Sequence, residues 1–160
     1  MMATTNWYVL YVKSKWENRI EKQLNNSHLE IEAFSPSLVE VRQYSDRKKR
    51  VKVPILKGIV LIKTLDKYRN KVFIFPGTLG YLRYLGSPGV VKEREIDYLK
   101  KLTQKPNILS VEFESLNIGD QIELNRMGFK NENGVVQKIT KHHVWVLLEG
   151  LGRILKVSLK

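Results

Sequence analysis

Residues 7–12 read Trp-Tyr-Val-Leu-Tyr-Val, and residues 14–17 read Ser-Lys-Trp-Glu. The first run is aromatic and β-branched, and it predicts a strand. In the second run, the serine and the glutamate have the spacing of a capping box, which predicts that a helix starts there. Apolar residues then recur at every fourth position from Trp16 to Leu24, as on the buried face of an amphipathic helix. The chain therefore begins with a strand followed by a helix.

Further patterns predict a mixed sheet and helix region up to about residue 105. Two period-two segments flank the basic turn 45–49 and predict a hairpin with an exposed tip. The apolar run Ile59–Ile62 predicts a central strand, and apolar residues at helical spacing predict helices. The predicted strands are 7–12, 31–34, 39–42, 51–53, 59–62 and 81–84, and the predicted helices are 14–24, 68–75 and 93–102. This order indicates an α+β fold with a ferredoxin-like antiparallel sheet and helices on one face.

The last third of the chain has a different pattern. Several short apolar runs after residue 115 are separated by glycines and show no helical period. Short strands at this spacing predict a small antiparallel β-barrel. We therefore predict a first domain at 1–105, a linker at 106–114 that contains Pro106, and a barrel domain at 115–160.

Charge divides the chain at the same place. The formal net charge is +12, with 21 Lys and Arg against 10 Asp and Glu in residues 1–105, and 7 against 6 in residues 106–160. Such an excess favours a polyanion as the partner, and nucleic acid is the expected one. The asymmetry places that partner on the first domain.

Catalytic and metal-binding patterns are scarce. There is no cysteine, so thiolate chemistry and disulfides are excluded. The three histidines include the adjacent pair His142 and His143, whose side chains would point to opposite faces of a strand and make a weak metal candidate. No nucleophile, base and orienting group can be assembled. We expect a cytoplasmic protein that is not an enzyme and binds no cofactor or metal.

The order of motifs resembles the NusG-type transcription elongation factors along nearly the whole chain. Residues 7–11 with Trp16-Glu17 resemble the family's opening, and residues 53–62 resemble its proline, glycine and apolar segment. The segment 79–88 and the glycines after residue 118 resemble its following strand and its C-terminal KOW barrel. The hairpin tip 44–49 resembles the UpxY kind of paralogue, which antiterminates surface-polysaccharide operons. The family's Pro-Gly-Tyr stands here as Lys57-Gly58-Ile59.

The resemblance implies an NGN domain followed by an SH3-like KOW barrel. It implies that the NGN domain binds the clamp helices of the largest RNA polymerase subunit and suppresses pausing or termination. In the RfaH and UpxY types, it implies action on specific operons and contact with the non-template DNA strand or upstream DNA. For the KOW barrel it implies a small-subunit ribosomal protein or a termination factor as partner.

Two sets of residues are the candidate surfaces. An apolar and aromatic set on the sheet would bind the polymerase helices, since aromatic residues are favoured interface anchors. A cationic set would bind phosphates. The polymerase set is Tyr11, Leu56, Ile59, Leu61, Tyr81 and Tyr84, and the nucleic-acid set is Lys13, Arg19, Lys22, Arg47, Lys48, Lys49 and Lys71.

An alternative is a generic RNA-binding module of ribosomal or RNA-recognition type. A ferredoxin-like sheet with a small barrel also serves that purpose, with aromatic residues of the central strands stacking on bases. The predicted central strand Ile59–Ile62 carries no aromatic residue, which favours the transcription factor.

Overall fold

The computed structural model of the chain describes residues 4–84, 86–104, 108–115, 130–132, 135–148 and 153–159. It divides into two compact units, Met1–Val90 and Val91–Lys160. Helices and antiparallel strands occur together, which confirms the predicted α+β class. Within the described residues, no helix has the length and apolar character needed to span a membrane.

The first unit is built on an antiparallel sheet. The strands of the first unit are β1 (Thr5–Val12), β2 (Glu32–Phe34), β3 (Ser37–Gln43), β4 (Lys48–Pro54), β5 (Ile59–Leu65), β6 (Thr78–Tyr81), β7 (Arg83–Tyr84) and β8 (Ser87–Pro88). Its helices are α1 (Glu17–Asn25) and a 3₁₀ helix (Asp66–Ile74). The main path of the sheet has the order β2-β5-β1-β6. The short strand β9 (Val90–Val91) lies at the unit boundary.

The core of this unit lies between the sheet and α1. Alternate residues of the two central strands, Leu10 and Val12 from β1 and Val60 and Ile62 from β5, pack with the apolar stripe of α1. The predicted stripe is confirmed, since Ile20 and Leu24 are buried. The predicted central strand is also confirmed, because β5 lies between β2 and β1.

A polar face of α1 holds the edge of the sheet. The side-chain amide of Asn25 donates to the carbonyl of Ala33 at 2.9 Å and accepts from its N–H at 2.8 Å. One turn earlier, Glu21 accepts a hydrogen bond from the N–H of Ser35. The backbone of the edge strand β2 thereby gains side-chain partners on its outer side, which satisfies polar groups that an edge strand leaves open.

The start of α1 differs from the predicted capping box. The helix begins at Glu17, Trp16 occupies the N-cap position, and the cap has no side-chain hydrogen bond, so the predicted cap at Ser14 is wrong. The Glu17 carboxylate instead accepts from the N–H of Lys15 at 3.3 Å and from the N–H of Gly58 at 2.8 Å. Glu17 is only 3% exposed. It is therefore a buried link between the helix start and the turn that precedes β5.

Strands β3 and β4 form the predicted hairpin as a separate two-stranded sheet. The N–H of Tyr44 donates to the carbonyl of Arg47 at 2.7 Å and closes the turn. At the root, the Asn18 amide donates to the carbonyl of Lys52 at 3.3 Å. The seven residues of β4 extend the hairpin by roughly 20 Å.

The second unit contains α2 (Glu93–Leu102) and the strands β10 (Ile108–Ser115), β11 (Lys130–Glu132), β12 (Val135–Ile139), β13 (His143–Leu148) and β14 (Arg153–Leu159). The bounds predicted for α2 are confirmed. The strands form one antiparallel sheet in the order β10-β14-β13-β12-β11. Among the described residues, no pairing of β10 with β11 closes this sheet into the predicted barrel.

Part of the predicted linker forms a strand. Residues 108–114, assigned to the linker, belong to β10 and pair with β14. The structure groups α2 with the second unit, and the domain boundary at residue 105 stays a prediction. The alternation in Val-Glu-Phe-Glu at 111–114 is typical of a strand. The linker was predicted there because Pro106 precedes this segment. One of the short strands predicted after residue 115, around Ile122, lies outside the described residues.

Replacing Glu17 tests the buried link. We expect Glu17→Ala to lower the free energy of unfolding by about 1–3 kcal/mol, because two N–H groups lose their acceptor. Glu17→Gln keeps a carbonyl oxygen for both donors and should lose clearly less. Urea denaturation measures both, with Glu40→Ala on the exposed hairpin as the control. Equal losses for the alanine and glutamine variants would contradict the hydrogen-bonding role.

Candidate functional site

Trp16 organises two cations of the predicted nucleic-acid set. The guanidinium carbon of Arg19 lies 4.7 Å from the centre of a Trp16 ring, and the Lys13 Nζ lies 5.5 Å from it. Both distances are within the range of cation–π attraction. Trp16 is half-buried against the core, so its ring holds the two charges at the surface beside the start of α1.

Gly77 provides the space for the Trp16 ring. A Cβ atom at Gly77 would overlap Trp16 Cε3, and the glycine has a φ of 95°, a conformation that side chains disfavour. Its carbonyl accepts a hydrogen bond from the N–H of Lys13 at 2.8 Å. The same glycine therefore seats the ring and fixes the backbone of one cation.

An open cleft of about 590 Å³ adjoins these cations along α1. It is lined by Arg19, Lys22, Gln23, Asn26, Ser27 and Phe75. The two cations can contact a phosphate and the Phe75 ring can contact a flat base, while the Ser27 hydroxyl donates to the carbonyl of Leu24 at 2.6 Å. Lys13 and Arg19 share the Trp16 ring, and Arg19 and Lys22 line the cleft. We call these three cations, with Trp16 and the cleft, the basic surface.

Lys71 is placed on a different aromatic ring. Its Nζ lies 4.2 Å from the centre of Tyr68 in the 3₁₀ helix, and the Lys67 Nζ lies 4.9 Å from the same ring. The neighbouring Arg69 pairs with Asp66 at 2.9 Å. Lys71 therefore forms a second cation–aromatic group with Lys67, a residue that was not predicted.

The hairpin cations Arg47, Lys48 and Lys49 are fully at the surface. They lie at the tip of the β3–β4 hairpin: Arg47 accepts the hydrogen bond from Tyr44 that closes the turn, and Lys48 and Lys49 are the first residues of β4. Because the hairpin extends by roughly 20 Å, its tip is a third, separate cationic group.

Three members of the predicted polymerase set are core residues. Leu56 and Leu61 are 0% exposed and Ile59 is 2% exposed. The expectation that Leu56 and Ile59 lie at the surface beside the tyrosines is therefore wrong. Ile59 and Leu61 point to the face of β5 opposite Val60 and Ile62, so residues on both faces of this strand are buried.

Tyr11 is half-buried and lies on that opposite face, with Ile59 as its partner in β5 and Gly80 as its partner in β6. A Cβ atom at Gly80 would meet no atom within 4 Å. Open space therefore borders the position of Tyr11 on the β6 side. Tyr84 belongs to β7, and its side chain lies outside the described part of the structure.

Tyr81 is held by contacts within the unit. Its hydroxyl donates to the carbonyl of Arg69 at 2.6 Å, and its ring meets Tyr8 and Phe73 edge-on at 5.9 and 5.7 Å. Burial raises the pKa of Tyr81 well above its ordinary value, against the opposing effect of Arg69 and with a smaller contribution from Tyr8. The neutral phenol is thus a structural donor that ties β6 to the 3₁₀ helix.

Sequence reasoning missed the rings that hold the cations. The sequence pattern predicts a buried helix face for Trp16 and a helix over 68–75 that contains Tyr68 and Phe75, and neither pattern indicates a cation as partner. Trp16 and Arg19 lie three residues apart, and residues three apart are neighbours on a helix. This spacing was a usable signal for the contact between Trp16 and Arg19. Among the described residues, no group of three or more His, Cys, Asp or Glu is placed to hold a metal ion.

The α+β fold and its surface cations define a small basic binding protein. Residues 5–100 match the family described as "NusG: Transcription termination factor nusG". The chain therefore belongs to the NusG family, whose members are transcription factors that interact with RNA polymerase and are not enzymes. This confirms the prediction of a NusG-type factor that is not an enzyme.

Comparison with solved structures gives a match to NusG of Thermotoga maritima, described as "Domain interaction in Thermotoga maritima NusG". The match has 16% sequence identity and a TM-score of 0.48, and it covers 98% of this chain and 93% of that chain. No curated protein sequence matches the chain significantly.

The raised pKa of Tyr81 predicts a loss of stability in alkali. Above about pH 10 the unfolded tyrosine ionises while the folded one keeps its proton, so the unfolded state binds fewer protons and the free energy of unfolding falls as pH rises. We expect Tyr81→Phe to reduce this fall, although it loses the bond to Arg69. Melting temperatures at roughly pH 8 and 11 measure it, and an unchanged alkaline fall in Tyr81→Phe would contradict the assignment.

Proposed function

We propose that this protein is a transcription elongation and antitermination factor that binds the clamp helices of the largest RNA polymerase subunit and suppresses pausing and termination. The observation that carries the proposal is the basic surface around Trp16, because it lies within the part of the chain that matches the NusG family. In this proposal the basic surface along α1 holds the non-template DNA strand, while the sheet face opposite α1, which carries Tyr11, holds the polymerase.

The cleft beside α1 supports single-stranded DNA as the ligand of the basic surface. Phe75 offers a ring on which a base stacks, and Arg19 and Lys22 offer positive charge to the adjoining phosphates. Sites for single strands combine these two features. Lys71 with Lys67 on Tyr68 extends the positive charge along the same unit.

Tyr11 is the proposed anchor for the polymerase helices. It is half-buried, and the space over Gly80 beside it is open, so a partner side chain has room to pack against the tyrosine ring. Leu56, Ile59 and Leu61 are buried, and in this proposal their role is to fix the position of the strand next to Tyr11 and not to contact the partner. Tyr84 remains a predicted member of the same surface.

The remaining parts of the proposal concern reach and specificity. The exposed tip with Arg47, Lys48 and Lys49 would contact upstream DNA, at a distance from the basic surface. The second unit would recruit a small-subunit ribosomal protein or a termination factor. Action on specific operons, such as those for surface polysaccharides, completes the proposal and rests on the similarity of the hairpin tip to UpxY-type factors.

The polymerase anchor is tested by Tyr11→Ala and Gly80→Ala. Truncating a central interface aromatic typically costs about 2 kcal/mol or more, so we expect Tyr11→Ala to weaken binding to core RNA polymerase by at least about tenfold and to abolish antitermination. Gly80→Ala adds a methyl group to open space, so the fold should be unaffected while polymerase binding weakens several-fold.

Binding is measured with purified core polymerase, with and without its clamp helices, alongside thermal unfolding. Tyr44→Ala on the hairpin is the control and should bind normally. A destabilised Tyr11→Ala whose folded fraction binds polymerase as the wild type does would refute the anchor.

The basic surface is tested by the salt dependence of DNA binding. Each phosphate contact on a single strand contributes about 0.7 to the slope of log affinity against log salt. Replacing Lys13 and Arg19 together by alanine should therefore reduce the slope by about 1.4 and leave polymerase binding nearly intact. Arg94→Ala with Lys101→Ala, two exposed cations of α2, makes the same charge change elsewhere. An equal slope change in both double variants would remove Lys13 and Arg19 from the site.

A further inference from the structure

The second unit carries a tryptophan between two lysines on adjacent strands. In the sheet register Trp145 of β13 pairs with Lys138 of β12 and with Lys156 of β14. The Lys138 Nζ lies 5.2 Å from the ring centre and the Lys156 Nζ lies 5.9 Å from it. We call these three residues, together with His143, the tryptophan row.

The row lies on the face of the sheet that points away from its core. Val144 and Val146 alternate with Trp145 along β13 and are buried, as is Val157 of β14. His143 lies two residues before Trp145 and therefore on the same face, where the two rings are 5.3 Å apart and tilted by 36°. Both rings are half-buried, so part of each remains accessible.

Positive charge continues from the row in one direction. Lys141 is exposed in the turn that precedes β13, and the N–H of Thr140 closes that turn on the carbonyl of His143 at 2.9 Å. On the other side, the register places Glu112 of β10 opposite Lys156. The cationic path thus runs from Lys156 across Trp145 and Lys138 toward the turn.

We infer that the tryptophan row binds single-stranded nucleic acid. Aromatic rings on which bases stack, with cations along the backbone path, are how such sites are built. A protein partner is disfavoured by the same residues, because the centres of protein interfaces are depleted in lysine. This surface lies in the second unit, so the inference is independent of the proposed polymerase and DNA contacts of the first.

The test uses the full chain and photocrosslinking. Single strands of about 12 nucleotides that carry 4-thiouridine or 4-thiothymidine are irradiated with the protein and the adducts are mapped after trypsin digestion. Cleavage after Lys141 and Arg153 releases segment 142–153, which contains both rings of the row. Titrating the yield of this adduct measures the affinity of the row itself, apart from cations elsewhere.

We expect adducts on segment 142–153 and at least about a tenfold loss of their apparent affinity in Trp145→Leu, with recovery in Trp145→Phe. Lys138→Gln with Lys156→Gln should reduce the salt slope by about 1.4. Lys130→Gln is the matched control, since Lys130 pairs with Gln137 and not with a residue of the row, and it should change nothing.

Three results would overturn the inference. The first is the absence of an adduct on segment 142–153, and the second is wild-type affinity in Trp145→Leu together with an unchanged salt slope in the lysine variant. The third is that unlabelled duplex displaces the crosslinking strand as well as unlabelled single strand does. If Trp145→Leu fails to fold, the lysine variant decides alone. Polymerase binding is measured in parallel and should be unaffected, so a failure of the proposed function is recognised separately.

Discussion

The buried carboxylate of Glu17 fixes the corner on which the first unit depends. It joins the backbone of Lys15, just before α1, to that of Gly58, just before β5. The carbonyl of Gly58 in turn accepts from the N–H of Val12 at 2.9 Å, so the end of β1 is held to the same turn. Trp16 directly precedes Glu17, so this buried group fixes the backbone next to the ring that carries the surface cations, and Gly77 provides the space for the ring itself.

Much of the fold was predictable because period and apolar content report burial directly. The stripe of α1, the hairpin and the bounds of α2 follow from such patterns. The unbroken apolar run Ile59–Ile62 is typical of a strand buried on both faces, and assigning Ile59 and Leu61 to a surface conflicted with that pattern. The corner at Glu17 was not predictable, because its partner Gly58 lies 41 residues away and donates through its backbone, which leaves no trace in residue type.

The contacts of the surface cations also fall into two kinds, those with residues near in sequence and those with residues that are distant in sequence. Arg19 lies three residues after Trp16 along the predicted helix, so this contact was within reach of sequence reasoning, whereas Lys13 precedes the helix. The row of Lys138, Trp145 and Lys156 depends on strand register, which no local pattern supplies. In both places a ring offsets part of the cost of holding a long charged side chain in position, since cation–π attraction acts where the ring is partly shielded from water. In these two places, aromatic residues therefore organise part of the excess charge of the chain.

Lys57-Gly58-Ile59 stands in this chain where the family has Pro-Gly-Tyr. Gly58 is kept, and its φ of 74° explains why, since a residue with a side chain disfavours that conformation. The aromatic residue that follows it in the family is Ile59 here, and Ile59 is buried. Across the sheet, the row through Ile59 and Gly80 has Tyr11 between them, so the aromatic ring of this row stands on β1. Tyr11 is therefore the half-buried residue of this row, and Ile59 lies buried beside it.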